Sequence, residues 1–88
     1  MEQIGKATEV KRLDGFRGDA RLFTLDPPHN GLAQVVVSAV DVFGEPETYI
    51  FAADETGEIT DYLEMSGSFR GALDHVKALN GLGYEVPA

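Results

Sequence analysis

The sequence predicts an α+β domain: a small antiparallel sheet of three to five strands with one C-terminal helix packed on one face. Three observations carry this expectation. Short β-branched runs, "ARLFTL", "QVVVSAVDVF" and "TYIFAA", follow one another between turn-forming stretches. One helical pattern comes after them, opening near "SGS" and closing near "NGLGY". The chain has 88 residues, which supports a single domain spanning 1–88 with one modest core.

In chain order, residues 1–19 read as a loosely attached segment or a strand, with Glu9 to Leu13 able to pair and "DGFRGD" to turn. Ala20 to Leu25 reads as a strand that stops at "DPPHNG". Pro27 and Pro28 there lack N–H donors, and Asn30-Gly31 accepts positive φ. Gln34 to Phe43 is the strongest strand. Val36, Val40 and Val42 point to one side; Val35, Val37, Ala39 and Phe43 point to the other. A strand apolar on both faces is usually central and covered twice. "GEPE", 44–47, reads as a turn, Thr48 to Ala53 as the next strand, and "DETGE" as a tight connection with Gly57 left-handed. Glu58 to Leu63 can return as a short strand.

Ser66 and Ser68 offer caps for the helix. Phe69, Ala72, Leu73, Val76 and Leu79 then recur at spacings of three and four, which places them on one helical face. Gly81 and Gly83 stop the helix near Leu79 or Asn80. Gly71 within it costs about 1 kcal/mol relative to alanine and would permit close helix–sheet packing. Tyr84 to Val86 can add an edge strand. One helix covers one sheet face only. The N-terminal segment, through Leu13 and Phe16, can cover the other, and so can a second copy of the chain, which would make a homodimer.

Charge is distributed unevenly. The net charge is −8, and residues 22–69 contain neither lysine nor arginine. Direct binding to a phosphate backbone draws on clustered cations, so nucleic acid is not an expected partner. Cysteine is absent, which excludes disulfides and thiolate metal sites. "MEQIGKATEV" lacks the apolar stretch of a signal peptide, and no run approaches the roughly 18 apolar residues of a membrane helix. The expectation is a cytoplasmic protein with no membrane partner.

Asp74-His75 is the pair most reminiscent of chemistry. Neighbouring helix residues point about 100° apart, so the two would not face each other. Asp74 would sit with Arg70 and Lys77 on a wet face, and His75 on the border of the apolar face, bonded to a carbonyl. Two histidines without cysteine make a poor zinc set. "DETGEITD" spaces its carboxylates somewhat like a calcium loop, but Ile59 stands where that loop needs glycine and Met65 where it needs glutamate. Phosphate-binding, dinucleotide and nucleophile-elbow motifs are missing. No catalytic residue, metal ligand or cofactor is expected.

The segments "VVVSAV", "ETYIF", "GEITD" and "GSFRGALDH…GYEV" resemble a group of small uncharacterised proteins encoded by actinobacteriophages, the mycobacteriophage kind in particular. The resemblance spans roughly residues 20–86 and is one of pattern, with no enzymatic motif. It implies a phage gene product acting in the host cell cytoplasm, where small proteins of this type often bind a host protein. The resulting expectation is a non-enzymatic accessory protein that binds a host or phage protein through Asp54, Glu55, Glu58, Asp61, Arg70, Asp74 and His75. Alternatives are an acidic mimic of nucleic acid, a virion structural or assembly protein, and a small enzyme using His75.

Overall fold

A computed structural model describes residues 5–14, 18–29 and 31–87. The chain forms β1 (Gly5–Leu13), β2 (Asp19–His29), β3 (Leu32–Val42), β4 (Glu45–Ala53), β5 (Ile59–Asp61), β6 (Phe69–Arg70), α1 (His75–Leu82) and β7 (Tyr84–Glu85). The strands make one seven-stranded sheet in the order β5-β4-β3-β2-β1-β7, with β6 on the same side of β4 as β5. Neighbours are antiparallel except β7, which lies parallel to β1. The expected small α+β sheet of three to five strands is therefore wrong. Among the described residues the protein is mostly sheet, 59% strand and 10% helix, curled into a half-barrel.

Two local features account for part of the added strand content. β2 runs through Pro27 and Pro28 to His29 instead of stopping at Leu25. Its ladder to β3 is interrupted between Thr24 and His29, so the prolines fall where β3 does not need their missing N–H groups. Phe69 and Arg70, expected in the helix, pair with Thr48 and Glu47 as β6. Gly71 then takes a φ of 109° and donates its N–H to the Pro46 carbonyl at 2.8 Å. Neither a two-residue strand nor a left-handed glycine can sustain a helix.

α1 accordingly starts later and ends later than expected. Asp74 is its N-cap and accepts from the Lys77 N–H at 3.0 Å. Gly83, at φ 108°, closes it and returns its N–H to Asn80. The buried face is Ala78, Leu79 and Leu82, while Leu73 and Val76 are exposed. Ser68, expected to cap the helix, instead accepts from the Ile50 N–H at 2.9 Å. Close backbone approach falls to Gly67 and Gly81, not Gly71. A Cβ on Gly81 would sit 2.9 Å from the Gly67 Cα, whereas nothing lies within 4 Å of one on Gly71.

β3 is central, and each of its faces is covered within the chain. On one face Val35 and Val37 pack with Phe23, Leu25, Ile50, Ala78, Leu79, Leu82 and Tyr84. On the other, Val36 packs with Ala20, Leu22 and Ala53 under Leu13 and Ile59. Leu13 ends β1, and Gly57 lies in the β4–β5 turn. In a flat sheet they would be three to four strand spacings apart, roughly 14–19 Å. A Cβ on Gly57 would nevertheless meet a Leu13 methyl at 2.7 Å. Twist has brought opposite corners of the sheet together over Val36. Leu13 thus supplies the second cover expected of the N-terminal segment; Phe16 lies outside the described residues.

The β3–β4 hairpin turns on Phe43 and Gly44, with Val42 opposite Glu45, so "GEPE" is mostly strand rather than turn. Both loop residues have positive φ, 52° and 85°. That is the type I′ pattern, in which Asn-Gly is the favoured pair.

Replacing Gly67 with alanine should cost about 3 kcal/mol, because a new Cβ collides with the Ala78 carbonyl and the backbone is left-handed. Gly71→Ala carries the conformational cost alone, about 1–2 kcal/mol. Urea unfolding of the two variants separates the close approach from the strain.

Candidate functional site

The residues singled out from sequence divide into two groups along β4. Asp54, Glu55, Glu58 and Asp61 lie in the β4–β5 hairpin, beyond Ala52 and Ala53. Arg70, Asp74 and His75 lie around the Glu47–Thr48 end. About five residues of strand, roughly 16 Å, separate the groups.

Most of these side chains are engaged internally. Asp54 accepts from the N–H groups of Thr56 (2.9 Å) and Glu58 (3.1 Å) and from the Thr56 hydroxyl (2.6 Å). Those bonds, the Thr56 hydroxyl foremost, hold its pKa below the usual aspartate value. Glu55 and Glu58 are exposed. Asp61 accepts from the Leu63 N–H at 2.9 Å and so sets the course of the chain after β5.

The expected cluster of Arg70, Asp74 and Lys77 does not form, because Arg70 is in a strand and not one helical turn before Asp74. Arg70 pairs with Glu47 at 3.2 Å, and the Lys77 ammonium lies 4.8 Å over the Phe69 ring. Asp74 caps α1, and its own N–H donates to the Thr48 hydroxyl at 3.1 Å. Thr48 in turn donates to the Ala72 carbonyl at 2.8 Å. His75 meets the Asp19 carbonyl through Nε2 at 2.8 Å. A carbonyl only accepts, so that nitrogen carries the proton. The Asp19 carboxylate is held by Arg21 at 2.7 and 3.0 Å, and this bond chiefly lowers its pKa. Asp74 and His75 therefore fasten the start of α1 to β4 and β2.

What remains open is the margin of the sheet beside β4. Tyr49 and Phe51 alternate on one face of the strand and stack with centroids 5.9 Å apart. Tyr62, just after β5, joins them at 5.6 Å. Glu47 closes one end, accepting from the Tyr49 hydroxyl and pairing with Arg70; its carboxylate raises the Tyr49 pKa. The segment after β5 is tied to the middle of β4, where the Met65 N–H donates to the Ile50 carbonyl at 2.9 Å and Ser68 accepts from Ile50. Backbone groups there are already paired, so recognition at this margin falls to side chains.

Across that segment lies a groove of about 480 Å³. Leu32, Ala52, Leu63 and Met65 form its apolar lining, and His29, Asp61, Glu64 and Ser66 its polar lining. Tyr62 and Leu63 are 70% and 75% exposed, so two consecutive apolar side chains stand in water, Tyr62 in the aromatic row and Leu63 in the groove lining. A smaller hollow of about 250 Å³ adjoins them at Tyr49, Glu64, Ser68, Phe69 and Arg70. Such a surface suits an apolar side chain with a cation beside it.

Reading the sequence found Asp61 and Arg70 of this margin and missed Tyr49, Phe51, Tyr62, Leu63 and Glu64. The available signal was the Tyr49/Phe51 alternation and an apolar pair, Tyr62-Leu63, set among acids. Among the described residues no three His, Asp or Glu side chains gather as a metal site would need, and no helix is long and apolar enough to cross a membrane. No family model, curated protein or solved structure matches the chain.

The Asp54 turn makes a testable contribution. A depressed folded pKa stabilises the fold above the unfolded value, near 4, and the gain is lost as pH falls through the folded pKa. Asp54→Ala should therefore lower the melting temperature at pH 7, and the gap to the wild type should close progressively below pH ~4. Thermal melts across that range check it.

Proposed function

We propose that the protein is a non-enzymatic binding module that engages another protein through the β4–β5 margin. The observation that carries this reading is the exposed Tyr62-Leu63 pair beside an apolar groove rimmed by Asp61 and Glu64. Fixing the pair in place through Asp61 and Ile50 lowers the ordering cost of binding. Exposed apolar patches of this kind mark interaction sites, and aromatic side chains dominate interface energetics.

Charge defines the partner. The margin is drawn mostly from the span 22–69, which has no lysine or arginine, and Arg70 at its end is paired with Glu47, so a complementary surface presents an apolar side chain flanked by cations. The same charge disfavours direct contact with nucleic acid or an anionic membrane. In the setting implied by the resemblance to actinobacteriophage proteins, the partner is a host or phage protein in the infected cell. Carboxylates alone do not carry the acidic-mimic alternative here, because Asp54 is committed to its turn and Glu47 to Arg70.

Immobilised wild-type protein should retain a specific protein from actinobacterial lysate, and a Tyr62→Ser, Leu63→Ser double variant should release it. Both side chains are exposed, so Leu63→Ser should move stability by no more than about 0.5 kcal/mol and Tyr62→Ser, which also loses the Phe51 contact, by about 1 kcal/mol. Equal retention by the folded double variant removes this margin as the binding surface.

A further inference from the structure

The tip of the β3–β4 hairpin carries a second signal, separate from the margin. Phe43 is 93% exposed and has a φ of 52°. Each property is unfavourable to the isolated fold. A bulky residue with positive φ is strained where asparagine or glycine is at ease, and a fully hydrated phenyl ring gives up its burial energy. The two costs fall on one residue in a turn that the fold does not need phenylalanine to make. Gly44 already has the left-handed φ that its position demands, and the Asp41 carboxylate accepts from the Gly44 N–H at 2.7 Å. A two-residue loop closed by the Val42–Glu45 pair fixes the backbone from which the ring projects.

We infer that Phe43 is an anchor residue: a preorganised knob that enters a preformed apolar pocket on a protein partner, the pocket being rimmed by lysine or arginine. Charge selects this occupant. Asp41 and Glu45 flank the ring, both exposed, and no cation lies between Leu22 and Phe69 in the chain. An anionic bilayer would repel these carboxylates while accepting the ring. The groove on a second copy of the chain is apolar enough, but its rim carries Asp61 and Glu64, which repel Asp41 and Glu45. Phe43 stands about six residues along β4 from Tyr49, roughly 20 Å, so the contact is additional to the margin. The inference takes from the proposed function only that the chain binds a protein.

Two measurements test it. Phe43→Asn restores the favoured type I′ pair and removes the exposed ring, so the melting temperature should rise by about 4 °C or more. The same variant should lose partner binding. A lower or unchanged melting temperature overturns the strain argument. For the contact itself, p-benzoylphenylalanine in place of Phe43 is irradiated in actinobacterial lysate and, separately, with phosphatidylcholine–phosphatidylglycerol vesicles. The expected adduct maps to a protein peptide of apolar residues next to lysine or arginine. Unlabelled wild type should compete it away and the Phe43→Asn variant should not. A lipid adduct, an adduct on this chain itself, equal competition by both proteins, or no adduct above the dark control each overturns the inference. Loss of the partner by the Tyr62→Ser, Leu63→Ser variant alongside failure of the Phe43 tests would leave the margin standing and remove the anchor.

Discussion

The whole arrangement depends on one close approach between backbones. α1 crosses the segment that precedes β6 at Gly67 and Gly81, where neither partner has a side chain. Contact at this distance lets Ala78, Leu79 and Leu82 reach the sheet, where they complete the core around Val35, Val37 and Ile50. It also carries the chain from the β4 side of the sheet to the β1 side, where Tyr84 pairs with Gly5 and its hydroxyl donates to the Pro27 carbonyl. A side chain at either glycine would lift the helix, and the burial of Leu79 and Tyr84 would go with it.

Curling of the sheet then decides which surfaces remain for a partner. The diagonal meeting of Leu13 and Gly57 buries Val36 and Leu22 without a second layer. A face that looks from its pattern as though it needs a second molecule is thus closed within the chain. Among the described residues the most exposed large apolar side chains are Tyr62 and Leu63 beside β4 and Phe43 on the hairpin, ahead of Val10, Leu73 and Val76. Acidic side chains stand beside both places, Asp61 and Glu64 at the margin and Asp41 and Glu45 at the hairpin tip.

The polar residues at the start of α1 show how little a pairing in sequence says about chemistry. Asp74 and His75 are adjacent and both titratable, yet one caps a helix and the other holds the carbonyl of Asp19. Thr48, buried in β4, ties Ala72 and Asp74 to that strand through two hydrogen bonds. Fixing the helix start in this way holds the Gly67–Gly81 crossing in register.

Local pattern determined much of this protein. β3 as the central strand, β4 after it and the hairpin at Gly57 all follow from β-branched content and from glycine's access to positive φ. Those are properties of a few neighbouring residues, and they survive in any context. Other features belonged to the tertiary structure. β2 continues through two prolines because its ladder is broken there, β6 forms because Glu47 and Thr48 offer it an edge, and the helix waits for Asp74 because Phe69 and Arg70 are already paired. The same division holds for the margin: the acids were visible as charge, but Tyr62 joins Tyr49 and Phe51 only once β5 has folded back on β4. Pairing partners far apart in the chain have no local signature, so only the folded sheet could assign them.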